Sequence, residues 1–99
     1  MKLVDTLEQN IYLVGSIAES DTFKNEFVDT LLDVRNKIDD EYGVIPVMGM
    51  SKNTLCWLKR LFGMDSSYSE TENAKFFWLM EIRVLDMRDG LIDFYIDNN

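Results

Sequence analysis

The sequence predicts an all-α fold: a small four-helix domain with a short third helix and a long C-terminal helix, formed by residues 1–99 as a single domain. Three observations lead to this prediction. Apolar residues recur at steps of three and four along three long segments, as on one face of a helix. Candidate helix caps lie near the ends of these segments. The hydrophobic fraction of 46% is high enough for a folded core.

The first predicted helix covers residues 3–18. Its apolar residues follow helical steps at Leu3, Leu7, Ile11, Val14 and Ala18. Gly15 lowers the stability of such a helix by about 1 kcal/mol relative to Ala, but it leaves the spacing intact.

The second predicted helix covers residues 23–42 and has the clearest pattern. Ser20, Asp21 and Thr22 precede it, and their side-chain oxygens can accept hydrogen bonds from the first backbone N–H groups. Gly43 follows it as a C-terminal stop. The apolar face comprises Phe23, Phe27, Leu31, Val34, Ile38 and Tyr42.

An apolar connector, residues 44–50, precedes the third predicted helix. Pro46 excludes a regular helix there, so we expect an extended segment or a short edge strand. Ser51 is a suitable N-cap for a short helix that runs to Phe62, and Gly63 ends it.

The last predicted helix extends from Glu70 to Ile96 and opens with a capping box, Ser69-x-x-Glu72. Its apolar steps continue through Asp89-Gly90, a dipeptide that usually marks a turn. The competing interpretation is a break at Gly90 followed by a strand at 91–96, forming a minor strand pair with residues 44–48. The apolar residues are Phe77, Met80, Val84, Met87, Leu91 and Phe94.

A second apolar stripe on this predicted helix requires a second covering surface. It comprises Trp78, Ile82, Leu85, Ile92 and Ile96. We expect a homodimer with Trp78, Leu85 and Ile92 near its centre, because a twofold interface is the commonest way to cover such a patch. The alternative is a central helix wrapped by the others within one monomer.

The composition argues against most enzyme chemistry, so we expect no catalytic residues, no cofactor and no metal site. The chain has no histidine and one cysteine, which excludes histidine-based nucleophile activation and cysteine-rich metal sites. It has no glycine-rich phosphate loop. The lone Cys56 and the absence of a long apolar run predict a cytoplasmic protein that does not enter a membrane.

The second predicted helix carries four carboxylates opposite its apolar face: Glu26, Asp29, Asp33 and Asp40. They span about 21 Å at ~1.5 Å per residue, and such a row can imitate the phosphates that a basic site binds. The net charge of −8 argues against direct binding of nucleic acid or an anionic membrane. A solvated helix face, relieved by Lys37, is the simpler interpretation of the same residues.

These observations predict a non-enzymatic, acidic protein-binding module, an inhibitor that occupies the basic surface of a partner such as a nucleic-acid-processing enzyme. Phage-borne blockers of restriction or CRISPR nucleases and toxin-neutralising immunity proteins share this size and charge, which is an analogy only. One alternative is an all-α, Mg²⁺-dependent nucleotide pyrophosphohydrolase with metal-binding pairs at Glu26-x-x-Asp29 and Asp86-x-x-Asp89. The other is a structural protein that self-associates through its last helix.

Overall fold

The computed structural model describes residues 1–9 and 21–97, in which two helices and one mixed six-stranded sheet form an α+β fold. The prediction of an all-α four-helix domain is therefore wrong. The elements follow in the order β1 (Lys2–Glu8), α1 (Asp21–Tyr42), β2 (Val47–Met50), α2 (Lys52–Phe62), β3 (Tyr68–Glu70), β4 (Lys75–Phe77), β5 (Met80–Val84) and β6 (Leu91–Ile96).

The strands lie in the order β1-β6-β2-β5-β4-β3. Strands β2 and β5 are parallel, with Met48 opposite Ile82, and the other pairs are antiparallel. Parallel neighbours require a long crossover connection, which here contains α2 and the β3–β4 hairpin. Apolar residues of both helices belong to the same core cluster as alternate residues of β5 and β6, so the helices cover one face of the sheet.

The two predicted helices at the centre of the chain are present. Helix α1 buries Phe27, Leu31 and Ile38, and the Gly43 N–H closes it by donating to the Asp39 carbonyl at 2.7 Å. Helix α2 begins after Ser51, whose side chain accepts a hydrogen bond from the Thr54 N–H. In both elements the hydrogen bonds are local, so sequence spacing and caps suffice to predict them.

The long C-terminal helix is absent, and strands β3 to β6 occupy its place. Its two apolar stripes mix strand alternations: Met80 and Ile82 are buried on β5, and Ile92, Phe94 and Ile96 are buried on β6. Buried residues alternate along each strand. When the residues of two strands and the loop between them are read as one continuous segment, apolar residues happen to recur at intervals of three and four, as they do in a helix. The predicted capping box is also wrong, because Ser69 lies within β3.

The competing interpretation, a break at Gly90 followed by a strand at residues 91–96, is confirmed. Gly90 has φ 90°, a conformation that residues with a side chain rarely adopt, and β6 follows it directly. Strand β6 pairs with β2 through Val47 opposite Tyr95 and Met48 opposite Phe94. The predicted edge position of β2 is wrong, since β2 lies between β6 and β5. Pro46 precedes the strand and so removes no hydrogen bond from the ladder.

The first predicted helix is replaced, in its described part, by strand β1. This strand pairs antiparallel with β6, and its register shifts between Leu3 and Asp5. An irregularity of this kind disturbs the alternation of a strand, and Val4 and Leu7 both pack against the core despite their spacing of three. Their spacing therefore imitates a helix. The rest of this prediction, in residues 10–18, lies outside the described residues.

Candidate functional site

The four predicted carboxylates lie along the solvent side of α1 and form what we call the acidic face: Glu26, Asp29, Asp33 and Asp40. All four are exposed, on the side of the helix opposite the buried Leu31. None of them forms an ion pair with another residue of the described chain. Within residues 1–9 and 21–97 their charges are therefore available to a cationic partner.

Four other carboxylates of the described chain, those of Glu8, Asp65, Glu70 and Glu81, are paired with cations, unlike the four of the acidic face. The ion pairs are Lys24–Asp65, Lys59–Glu70, Lys75–Glu70, Arg83–Glu81 and Arg88–Glu8. Lys37 is exposed on α1 within the span of the acidic face, but it makes no ion pair with those carboxylates. Exposed ion pairs contribute little to stability, so their absence from the acidic face affects the charge available for binding rather than folding.

A groove of about 440 Å³ adjoins the acidic face and is here called the Trp78 groove. It lies between the N-terminal half of α1, the end of α2 and the loops that flank the β3–β4 hairpin. Asp29 belongs to both the acidic face and this groove, so the two surfaces are continuous. The groove is lined by Asp21, Lys24, Asn25, Val28, Asp29, Phe62, Asp65, Ser67 and Trp78.

The charge of the Trp78 groove is negative. Among the described residues, three carboxylates line it, from Asp21, Asp29 and Asp65, against one ammonium, from Lys24, and these four groups sum to a charge of −2. The Lys24 Nζ lies 3.8 Å from the Asp65 Oδ2 and 5.2 Å from the centroid of the Phe62 ring. One wall of the groove therefore already holds a cation between a carboxylate and an aromatic ring.

Trp78 occupies a strained position beside this groove. With Leu79 it forms the two-residue turn between β4 and β5, and their φ angles are 51° and 68°. Such turns favour Asn-Gly, and bulky residues there cost about 1–3 kcal/mol each. The Trp78 N–H donates to the Ser67 carbonyl at 2.9 Å, and the buried indole Nε1–H has no acceptor among the described residues.

A second groove, of about 580 Å³, is lined by both residues of this turn. It shares Asp65, Ser67 and Trp78 with the Trp78 groove and is also lined by Leu79, whose side chain is 77% exposed. No sequence pattern indicates either groove, because Trp-Leu is not a usual turn dipeptide and Asp65 belongs to no motif.

The residues predicted to form a homodimer interface do not share a surface. Trp78 lies half-buried in the β4–β5 turn, Leu85 follows β5 and is 39% exposed, and Ile92 is buried in β6 at 1% exposure. The predicted patch required all three on one helix face, and that helix does not form. The homodimer itself stays a prediction, now without a defined interface.

The metal-binding pairs of the pyrophosphohydrolase alternative are not on facing helices. Asp86 and Asp89 lie in the loop between β5 and β6. The Asp89 carboxylate accepts hydrogen bonds from the Ser51 Oγ at 2.5 Å and the Asn53 Nδ2 at 3.0 Å, which fastens this loop to the start of α2. Across residues 1–9 and 21–97, no group of three or more candidate ligands is placed to hold a metal ion.

Two tyrosines have a pKa above the ordinary value. Burial raises the pKa of Tyr68, and the charge of Glu70 raises it further while Lys59 lowers it. Burial also raises the pKa of Tyr95, together with the charge of Asp93, which accepts a hydrogen bond from the Tyr95 hydroxyl at 3.2 Å. Both shifts favour the neutral phenol over the phenolate.

Neither helix in the described part of the chain is long and apolar enough to cross a membrane. In comparisons with known proteins, no family model matches the chain, and neither a curated protein nor a solved structure does.

Proposed function

We propose that this chain is a non-enzymatic binding module whose acidic face occupies a basic surface of a partner protein. The partner we favour is a nucleic-acid-processing enzyme, which the chain inhibits by covering its phosphate-binding surface. The observation that carries the proposal is a row of four exposed carboxylates with no ion pair to the described residues.

The geometry of α1 supports this proposal. A helix holds its side chains in a fixed register, so neighbouring carboxylates of the acidic face are separated along the axis by about 4.5–10 Å at ~1.5 Å per residue. Lysine and arginine side chains that normally contact a phosphate backbone can pair with such a row. The core contacts of Phe27, Leu31 and Ile38 hold the helix in place, so little ordering is required on binding.

The net charge of −8 supports the same type of partner. A negative field accelerates encounter with a basic protein and disfavours nucleic acid and anionic lipid. Cys56 is the only cysteine and its side chain is exposed, which suits a reducing compartment, so we place the binding in the cytoplasm.

The test is affinity capture from an extract of the cells that encode the protein, followed by mass spectrometry. The wild type is compared with a variant that lacks the charges of the acidic face: Glu26→Gln, Asp29→Asn, Asp33→Asn and Asp40→Asn. We expect a protein with a basic surface to be retained by the wild type and lost by the variant, with binding that weakens as salt is raised.

A charge-matched control separates the acidic face from net charge. It carries four neutralised carboxylates that are also exposed but lie outside α1: Glu8→Gln, Glu72→Gln, Asp86→Asn and Asp97→Asn. The control should retain the partner, and purified partner should lose nucleic-acid binding when the wild type is added. Equal loss of the partner from both variants, or retention by both, contradicts the proposal.

A further inference from the structure

We propose that the Trp78 groove receives one arginine side chain of the partner and is the anchor point of the interface. This inference rests on the proposed function, because it assumes that the partner presents a basic surface to α1. It adds a defined contact, in which a guanidinium lies against the aromatic surface of Trp78 and the carboxylates of the groove.

Charge complementarity identifies the class of occupant. In the described part of the chain, the carboxylates of Asp21, Asp29 and Asp65 share the groove with one ammonium, from Lys24, so the groove attracts a cation and repels an anion. Trp78 adds a large π surface, to which cations bind more strongly than to other aromatic residues.

Lys24 provides a precedent within the groove for an ammonium held between a carboxylate and an aromatic ring. Its Nζ lies 3.8 Å from the Asp65 Oδ2 and 5.2 Å from the centre of the Phe62 ring. A second cation would lie against Trp78, within reach of the carboxylates of Asp29 and Asp65. Because Asp29 also belongs to the acidic face, a cation there lies at one end of the same charged row.

The geometry favours arginine over lysine as the occupant. A guanidinium is planar and weakly hydrated, so it can stack on an indole while its N–H groups donate to carboxylates at its edge. An ammonium is compact and strongly hydrated, and it loses more solvation in a groove with aromatic walls. Buried arginines surrounded by aromatic residues are also frequent anchors of protein interfaces.

The test is a titration of the ¹⁵N-labelled protein with N-acetylargininamide, followed by NMR. The indole Nε1–H signal of Trp78 is identified by its loss in Trp78→Leu, and that of the buried Trp57 is the internal control. We expect a saturable shift of the Trp78 signal, none of the Trp57 signal, weaker binding of N-acetyllysinamide, and no shift with the neutral N-acetylnorleucinamide.

Two substitutions in the groove, Asp65→Asn and Lys24→Gln, locate the binding, and Asp86→Asn is their control. Asp65→Asn should weaken binding of N-acetylargininamide by about fivefold, whereas Asp86→Asn, an exposed carboxylate elsewhere, should leave it unchanged. Lys24→Gln removes the competing cation and should strengthen binding. Equal affinity in Asp65→Asn and the wild type, or an equal shift with the norleucine compound, overturns the inference. Both variants are checked for an unchanged Trp57 signal, which reports an intact core.

The test separates this inference from the proposed function, because Asp65 and Trp78 lie outside the acidic face. In one outcome the acidic-face variant loses the captured partner, but the wild type does not bind N-acetylargininamide. The acidic face then binds its partner without this anchor, and only the inference is refuted. A groove that binds the arginine probe while no partner depends on the acidic face refutes the proposed function and leaves the cation site established.

Discussion

Helix α1 and the β5–β6 region contain similar apolar spacing, yet one is a helix and the other two strands. In α1 the buried residues Phe27, Leu31 and Ile38 match the face predicted from the sequence. In the C-terminal region Val84, assigned to the core by the same argument, is 50% exposed, while Phe94 is fully buried. Steps of three and four are therefore informative only where no strand alternation can generate them.

The two regions also differ in where their hydrogen bonds are made. The helix satisfies its backbone groups within four residues, and its ends carry the polar and glycine residues that terminate it. Strand β6 pairs with β1 at the start of the chain and with β2 near its middle. Its conformation depends on partners that no local pattern identifies, so the sequence left two interpretations open.

The largest expected effect is a contrast within β5. Ile82→Ala removes a side chain that is 7% exposed and should lower the free energy of unfolding by about 2–4 kcal/mol. Val84→Ala, two residues further on and 50% exposed, should cost less than about 1 kcal/mol. Urea unfolding measures both, with Leu31→Ala in α1 as a buried reference. Equal losses of unfolding free energy in Ile82→Ala and Val84→Ala would contradict the strand and favour the predicted helix, in which Val84 belongs to the core.

A smaller effect is expected at the strained β4–β5 turn. Leu79 has φ 68°, so Leu79→Gly should raise the free energy of unfolding by about 0.5–1 kcal/mol. Leu3→Gly is the matched control, because Leu3 is an exposed leucine on the extended strand β1 and should lose stability on the same change. Thermal or urea unfolding of the pair gives the comparison. Destabilisation of similar size at both positions would mean that the turn stores no strain.

The smallest effect is expected at Tyr68, whose buried hydroxyl has no partner among residues 1–9 and 21–97. Tyr68→Phe should change the free energy of unfolding by less than about 0.5 kcal/mol at pH 7. The folded-state pKa is raised, so the neutral phenol contributes stability that is present below pH ~10 and lost as pH rises through the folded pKa. Wild-type stability should therefore fall more steeply than that of Tyr68→Phe above pH ~10. Parallel pH profiles would show that ionisation of Tyr68 is not coupled to folding.

The candidate site, like the fold, has one part that could be predicted from the sequence and one that could not. The acidic face of α1 could be predicted, because its residues lie on a helix whose phase the apolar residues determine. The Trp78 groove could not be predicted, since Asp29 from α1, Asp65 from the loop after α2 and Trp78 from a hairpin turn meet only after the sheet forms. The predicted dimer interface at Trp78, Leu85 and Ile92 has lost its structural basis for a related reason, because it required these residues on one helix that does not form.

By itself, the sequence determined the helices α1 and α2, the Ser51 cap of α2, the end of α1 at Gly43, and the placement of four carboxylates on the solvent side of α1. These features depend on hydrogen bonds and side-chain spacing within a few residues of chain. Only the tertiary structure decided that residues 2–8 form a strand, that β2 lies inside the sheet, and that Trp78 borders a charged groove. Strand pairing joins residues far apart in the chain, and its stability comes from partners rather than from local preference.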